Sequence, residues 1–363
     1  MTTPAATMTR SEPTSLEHAS VRAPHHGTLG VGIIGLGFMG RTHLASYART
    51  EGCELRALLD PAQRAAAAGN LITTGDAAKD DVDRLLATLP RATSLEDFLA
   101  RGDVDVVSIC TPTDTHVDLV RAAIRAKKHV LVEKPTALDA DAIDALDHEA
   151  RAAGILVMPA HCMRFWPAWA WMAEAIRTRR FGAVRHARFR RLGAAPTWSQ
   201  HFYLDFARSG GAIVDLHIHD ADFVRFAFGE PASVAATGSR RHVHARYGFG
   251  SGVVVEGGIV EAEGGWMEDP SFAFTMTAEI TCEKAILDFD LMRDPELRVV
   301  STADGSISTI VAGRDYPTGN GYDHEIAALI RAIASGGPAP VTLGDAARTQ
   351  RLLDREIAAL HTS

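Results

Sequence analysis

The feature that most constrains this chain is Gly35-Leu36-Gly37-Phe38-Met39-Gly40, which directly follows the apolar run Val31-Gly32-Ile33-Ile34. An acid, Asp60, lies 20 residues beyond the last glycine. The first glycine permits a tight strand-to-helix turn, and the second lets backbone approach a pyrophosphate. The third lets helix and strand pack closely, and the helix N-terminus meets the phosphate charge. A lone GxGxxG is a weak signal. Here the preceding strand, a helix opening at about Arg41 and the acid at the expected offset occur together, which predicts a dinucleotide site.

The rest of the first half fits that start. Short apolar runs (Val31–Ile34, Glu54–Leu59, Val104–Cys110, His129–Val132, Ile155–Met158) alternate with helical stretches at Arg41–Thr50, Pro61–Ala68, Asp81–Leu89, Leu95–Ala100, Thr115–Ala126 and Ala140–Ala153. Gly154 stands where a C′ glycine would. Such alternation predicts a parallel, doubly wound α/β sheet over residues 29–158. Beyond residue 159 the pattern changes. A helix at Pro167–Arg179 is followed by β-like runs at Val184–Leu192, Ser233–Gly238, Ser251–Glu261, Ser271–Cys282, Ala285–Phe289 and Leu297–Thr302. One helix, Gly211–Phe228, interrupts them, and two more, Gly321–Ala334 and Leu343–Leu360, follow. This predicts a second α+β unit over 159–335, with a large, mainly antiparallel, open sheet. Its uncovered face, if apolar, would pair subunits. Residues 336–363 are expected to pack back on the first unit as a helix. Residues 1–28, rich in Thr, Pro, Ala and Ser, read as a flexible tail without a signal-peptide core or twin arginine.

Composition excludes other classes. The chain of 363 residues has a net charge of -8, which disfavours nucleic acid or an acidic membrane as main partner. No apolar run reaches the roughly 18 residues of a membrane helix. Cys53, Cys110, Cys162 and Cys282 form no CxxC pair, which fits a reducing, cytoplasmic setting and offers no metal motif.

Two further segments carry chemistry. Glu133-Lys134-Pro135 lies at the carboxyl end of a predicted strand, where open α/β sheets bind ligands, so Lys134 should project toward the nicotinamide. Burial near other charges can lower a lysine's pKa into the range of proton exchange. Pro135 would fix the turn, with a cis bond as one route. In Gly210–Asp222, Asp215 and His219 are i and i+4 and share a helix face, so the carboxylate is expected to orient the imidazole and raise its basicity. His217 and His219 as a metal pair is disfavoured, because i, i+2 side chains diverge on a helix. Asp60 can accept the adenosine ribose hydroxyls and would repel a 2′-phosphate, which favours NAD. Arg64 keeps NADP as the less expected alternative. The arginine-rich stretch Arg179–Arg191 reads as a solvated or subunit-facing edge, and Ser239–Arg246 as a loop and strand edge.

The fingerprint Gly35–Gly40, the run Cys110-Thr111-Pro112-Thr113-Asp114-Thr115-His116, Glu133-Lys134-Pro135 and Gly210–Asp222, in this order and spacing, resemble the Gfo/Idh/MocA oxidoreductases. The resemblance implies a Rossmann domain followed by an α/β domain whose open sheet packs in homodimers or homotetramers. It implies that Lys134, Asp215 and His219 form the catalytic set, with His219 accepting the hydroxyl proton. Gly35, Gly37, Phe38, Met39, Gly40, Asp60, Thr111, Pro112, Thr113, His116 and Glu133 would bind the cofactor. His161, Arg164, Trp166 and Tyr203 are the substrate-side candidates. His161-Cys162 departs from the Gly-aromatic or Gly-Asn of more typical members, which leaves the substrate open. Trp166, Trp169 and Trp171 suit either a sugar ring's apolar face or core packing. The expected activity is NAD-dependent oxidation of a secondary hydroxyl of a sugar, glycoside or cyclitol. The alternatives are an NAD-using lyase or glycosidase with transient oxidation, a non-catalytic nucleotide sensor, and an aldehyde or imine reductase.

Overall fold

The computed structural model describes residues 27–60, 76–197, 200–250 and 252–360. The predicted helix Pro61–Ala68, and Arg64 with it, lie outside the described residues. Strand β1 (Leu29–Ile34) is buried along its whole length, as its unbroken apolar sequence requires. Helix α1 (Phe38–Arg49) begins inside the glycine fingerprint, three residues before the expected start. Then come β2 (Cys53–Leu59), α2 (Asp76–Thr88), the short α3 (Leu95–Leu99) and β3 (Val106–Ile109). Ser94 caps α3 by accepting from the Asp97 amide. Next are α4 (His116–Arg125), β4 (His129–Glu133), α5 (Ala140–Ala153) and β5 (Val157–Ala160). Asp139 caps the start of α5, and Gly154, at φ 65°, closes it in the left-handed conformation. The five strands form one parallel sheet in the order β2-β1-β3-β4-β5, as the alternation predicts.

A 3-10 turn at Cys162–Arg164 leads into α6 (Pro167–Arg177), whose first residue is the proline that such a position tolerates. After β6 (Val184–Ala194) the chain forms two short helices, α7 (Gln200–Tyr203) and α8 (Phe206–Ser209). The single helix expected over Gly211–Phe228 is divided into α9 (Ala212–Asp215) and α10 (Ile218–Phe228). The division follows from an irregular ladder: the His217 amide donates to Ala212 O, five residues back. Strands β7 (Ser233–Gly238), β8 (His242–Gly248), β9 (Val254–Met267), β10 (Thr275–Cys282), β11 (Ala285–Asp290), β12 (Leu297–Ser301) and β13 (Ile307–Ile310) complete an eight-stranded sheet. Its order is β13-β12-β11-β10-β6-β9-β8-β7, antiparallel except for the central β6–β9 pair. The segment read as loop and strand edge, Ser239–Arg246, contains most of β8.

The inner face of this sheet is covered by α6 and α10. Trp169 is fully buried there, with its ring edge-on to Phe223 at 4.7 Å and Phe289 at 5.5 Å, so it belongs to the core. The outer face is not apolar. Glu261 and Glu263 stand there among Arg188, Arg190, Arg246, His186, His242 and His244. Helix α11 (Gly321–Ser335) lays Ile326, Leu329, Ile330 and Ile333 into the core of the first sheet. Helix α12 (Leu343–Leu360) joins both cores: Leu343, Ala346 and Ala347 belong to the first, Leu352 and Leu353 to the second. Among the described residues no helix is long and apolar enough to cross a membrane.

Candidate active site

The carboxyl ends of β1–β4 face the inner side of the second sheet across a cavity of about 930 Å³. Its floor on the first-sheet side is the β1–α1 turn. Gly35 has φ 90°, and a Cβ there would sit 2.6 Å from Cys110 O, so only glycine fits. A Cβ at Gly40 would overlap Gly35 O, which makes Gly40 the close-packing glycine rather than a cavity residue. At Gly37 a Cβ would meet nothing within 4 Å. Gly37 is also the N-cap of α1 and no side chain caps it, so the first amides of α1 carry no side-chain acceptor. Phe38, Met39, Asp60, Thr111, Pro112 and Thr113 line the same end of the cavity. His116, expected to line it too, is buried behind the loop. Its two ring nitrogens lie 2.9 Å from Pro135 O and 2.8 Å from Thr111 O, which fastens the β3–α4 loop to the turn after β4.

Lys134 directly follows β4 and lines the cavity, and the Lys134–Pro135 bond is cis. Its Nζ donates to Asp215 O at 2.6 Å and to Asp215 Oδ1 at 3.1 Å. Burial by itself would lower its pKa. The charges of Asp215 and Glu133, Tyr203, and the hydrogen bond to Asp215 outweigh it and hold the pKa above the ordinary lysine value. This reverses the lowered value expected from sequence: Lys134 is an ammonium at neutral pH.

Glu133 also lines the cavity. Its Oε1 is 3.0 Å from His43 Nε2, and its Oε2 accepts from the Lys134 amide at 3.0 Å. Burial alone would raise the Glu133 pKa, but His43 and Lys134 hold it below the usual carboxylate value. His43 Nδ1 lies 2.8 Å from Ser108 Oγ, which fixes the ring. His43 is buried on α1, and nothing in the sequence around it signalled the link to Glu133.

His219 lines the cavity from the first turn of α10. Asp215 does not orient it as the i, i+4 spacing predicted, because the ladder breaks between them and Asp215 is engaged by Lys134. His219 Nδ1 is buried and has no hydrogen-bond partner among the described residues. Burial, then the charges of Lys134, Arg191 and His161, push its pKa well below the ordinary imidazole value. The expected rise in basicity is therefore reversed, and the ring is neutral. His217 turns the other way, into the core, where Nε2 is 3.0 Å from Glu356 Oε2.

The substrate-side candidates separate. Trp166 and Tyr203 line the cavity. Arg164 does not: Nε and Nη2 form a bidentate pair with Asp222 at 2.8 and 2.6 Å, and Nη1 lies 3.4 Å from Asp345. The pair holds Asp222 far below the usual carboxylate range and Arg164 above its own. His161 sits behind it, with Nδ1 3.7 Å from Asp222, fully buried and with a lowered pKa caused mainly by burial. Both are struts beneath the site. Tyr322 and Arg191 are among the lining residues that escaped the sequence reading. Tyr322 arrives from α11 and meets Trp166 edge-on at 6.2 Å. Arg191 was read as part of an exposed basic edge. It lies on the inner side of β6 in register with Ala187 and Phe189, 3% exposed, and forms a bidentate pair with Asp220 at 2.9 and 3.0 Å. Strict period-2 alternation within the arginine run would have found it.

Residues 29–161 match the model of an oxidoreductase family with an NAD-binding Rossmann fold, and residues 169–287 match the C-terminal domain of the same family. The inositol 2-dehydrogenase of Rhizobium meliloti is 32% identical over 213 residues, 58% of either chain. The UDP-N-acetylglucosamine 3-dehydrogenase of Acidithiobacillus ferrooxidans is 34% identical over 209 residues, 57% of either chain. The chain thus spans about half the length of the curated relatives it matches, down to 39% for an uncharacterised oxidoreductase of Synechocystis. A solved levoglucosan dehydrogenase in complex with NADH and levoglucosan superposes with a TM-score of 0.76 at 21% identity, over 92% of this chain and 97% of that one, a likeness of fold. With both parts of the chain matched in order, this protein belongs to the Gfo/Idh/MocA family of oxidoreductases.

Proposed function

We propose that this chain is an NAD-dependent dehydrogenase that oxidises a secondary hydroxyl of a sugar, glycoside or cyclitol. The observation that carries the proposal is one cavity holding a charged lysine, Lys134, and a neutral histidine, His219, beside a glycine turn shaped for a dinucleotide. The dehydrogenase names of its relatives support it. The turn itself supports a dinucleotide. Gly37 leaves space above the uncapped amides of α1, and Asp60 lines the cavity at the end of β2. Those amides would hold the pyrophosphate, Asp60 the adenosine ribose, and Thr111, Pro112, Thr113 and Glu133 the rest. When bound, the nicotinamide supplies the hydride acceptor.

The chain's own residues do the remainder. Lys134 spends two of its three N–H donors on Asp215, which fixes it and leaves one for a substrate oxygen. There the ammonium stabilises the developing alkoxide. His219 takes the hydroxyl proton, since it alone of the two is unprotonated at neutral pH. Asp215 positions Lys134 rather than His219. Proton transfer of this kind contributes roughly 10²–10⁴-fold.

Formation of reduced nicotinamide, followed by absorbance, tests the reading with NAD and then NADP against inositols, aldoses and simple glycosides. Sustained formation with one compound class is expected. Cofactor binding without net reduction across the panel would overturn it. By the same reading the protein functions as a homodimer or homotetramer, which sedimentation checks. A concentration-independent monomer would refute that part.

A further inference from the structure

Around the catalytic end of the cavity the lining includes a polar and an apolar set. The charged and imidazole members of the polar set are Lys134, Asp215, His219 and Arg191, with Tyr203, Trp166 and Tyr322 beside them; Lys134 is engaged by Asp215, and Arg191 by Asp220. The other set is apolar and comes from different elements: Phe202 on α7, Phe274 just before β10, Met276 near its start, and Leu291 just after β11. Phe274 lies over Gly193, where a Cβ would come 3.2 Å from Phe274 Cδ2, so the glycine makes room for the ring.

This apolar wall continues outward. Four large hydrophobic side chains are exposed among the described residues: Leu204, Phe274, Met292 and Ile307. Phe274 is itself a lining residue, Leu204 follows the lining residue Tyr203, and Met292 follows the lining residue Leu291. Phe274, a lining residue that is 44% exposed, brings apolar surface to the cavity mouth, and such surface marks a binding site. A ring bearing a hydroxyl on every carbon would press several of them against Phe202, Phe274, Met276 and Leu291. None of these side chains offers a hydrogen bond to an oxygen, and a buried unpaired hydroxyl is costly.

We infer that the substrate carries an aryl group beside its reacting carbinol, as an aryl glycoside does, and that this group lies against Phe202, Phe274, Met276 and Leu291. The inference rests on the dehydrogenase reading of the same site for its carbinol end only. The hydroxyl on the reacting carbon meets Lys134 and His219, and the aryl group leaves toward Phe274 and the mouth.

Calorimetric titration of the full chain loaded with NADH tests it, with phenyl and methyl glycosides of glucose, galactose and xylose, both anomers of each. At least one phenyl member is expected to bind about tenfold or more tightly than its methyl partner, a difference of about 1.4 kcal/mol. Phe274→Ser should shrink that ratio to about twofold, since one ring of the wall is lost. Because Phe274 is 44% exposed, the variant should fold, and its NADH affinity verifies this. Phenyl and methyl members binding alike throughout would overturn the inference. So would a phenyl preference indifferent to Phe274→Ser. Like binding together with a dimer that dissociates in Phe274→Ser would assign the apolar mouth to a second copy of the chain instead. Oxidation assays on the same compounds separate the two readings. Oxidation without phenyl preference removes the aryl site and keeps the dehydrogenase. A phenyl preference in binding with no oxidation of any compound does the reverse.

Discussion

Replacing Arg164 by Leu separates a strut from a substrate ligand. The Arg164 side chain is 8% exposed and Asp222 1%. The substitution removes a bidentate pair at 2.6 and 2.8 Å and the contact to Asp345. Breaking a buried pair by deleting one partner costs about 3–5 kcal/mol, because the other charge stays buried. Here Asp222 keeps a 2.9 Å hydrogen bond from Thr349 and a 4.0 Å contact with Arg225, so the lower end, about 3 kcal/mol, is expected. At roughly 2 °C per kcal/mol for a chain of this size, Tm should fall by about 6 °C. The sign of the pH dependence follows from Asp222. Its folded pKa is depressed, so its contribution is complete above the unfolded carboxylate value of about 3.9 and is lost as pH falls toward the folded value. The gap between wild type and variant should therefore be constant from about pH 5 to 8 and narrow below about pH 4. Thermal melts at several pH values, with KM at the permissive temperature, provide the assay. An unchanged Tm with a strongly raised KM would refute the strut and restore Arg164 to the substrate.

Lys134→Met should lower kcat by roughly 10²–10⁴-fold while NAD affinity, titrated by fluorescence, changes only slightly, and normal turnover would remove its catalytic role. Because the pKa of His219 is lowered and that of Lys134 raised, kcat/KM should be level from about pH 6.5 to beyond 9, with its only fall on the acid side. A rate that climbs with a midpoint near pH 8 would instead point to a lysine base. Asp60→Ala should weaken NAD and narrow the preference over NADP, measured as the ratio of the two kcat/KM values; an unaltered ratio would contradict its ribose role.

The first sheet was legible because four of its five strands, β1 and β3 to β5, are buried on both faces and read as largely apolar runs. The second was harder where charge hides alternation. In β8, Val243, Ala245 and Tyr247 point inward while His242, His244 and Arg246 point out, so a strand with a normal inner face looks like a basic loop. The same masking concealed Arg191, since its neighbours Arg188 and Arg190 are exposed. The placement of α11 depends on a long-range return to α1, for which a local pattern carries no sign.

At the site, residue types were legible and their pairing was not. The i, i+4 argument for Asp215 and His219 assumed a continuous helix, and the ladder breaks at the two residues between α9 and α10. The break gives Asp215 to Lys134 through both its carbonyl and its carboxylate, and leaves His219 near positive charge with no anion of its own. An intact pair would have raised the imidazole's pKa and left the lysine to burial, which lowers it. The observed pairing drives the two groups apart in the opposite sense, with the ammonium held protonated and the imidazole held neutral. Titratable neighbours pushed apart in this way divide acid and base roles between them. The proposed oxidation calls for a fixed cation for the alkoxide and an empty proton acceptor within reach, and under that proposal the helix break would supply both at once. That is the strongest reason to treat the irregularity between Asp215 and Ile218 as part of the site rather than as a defect in a helix.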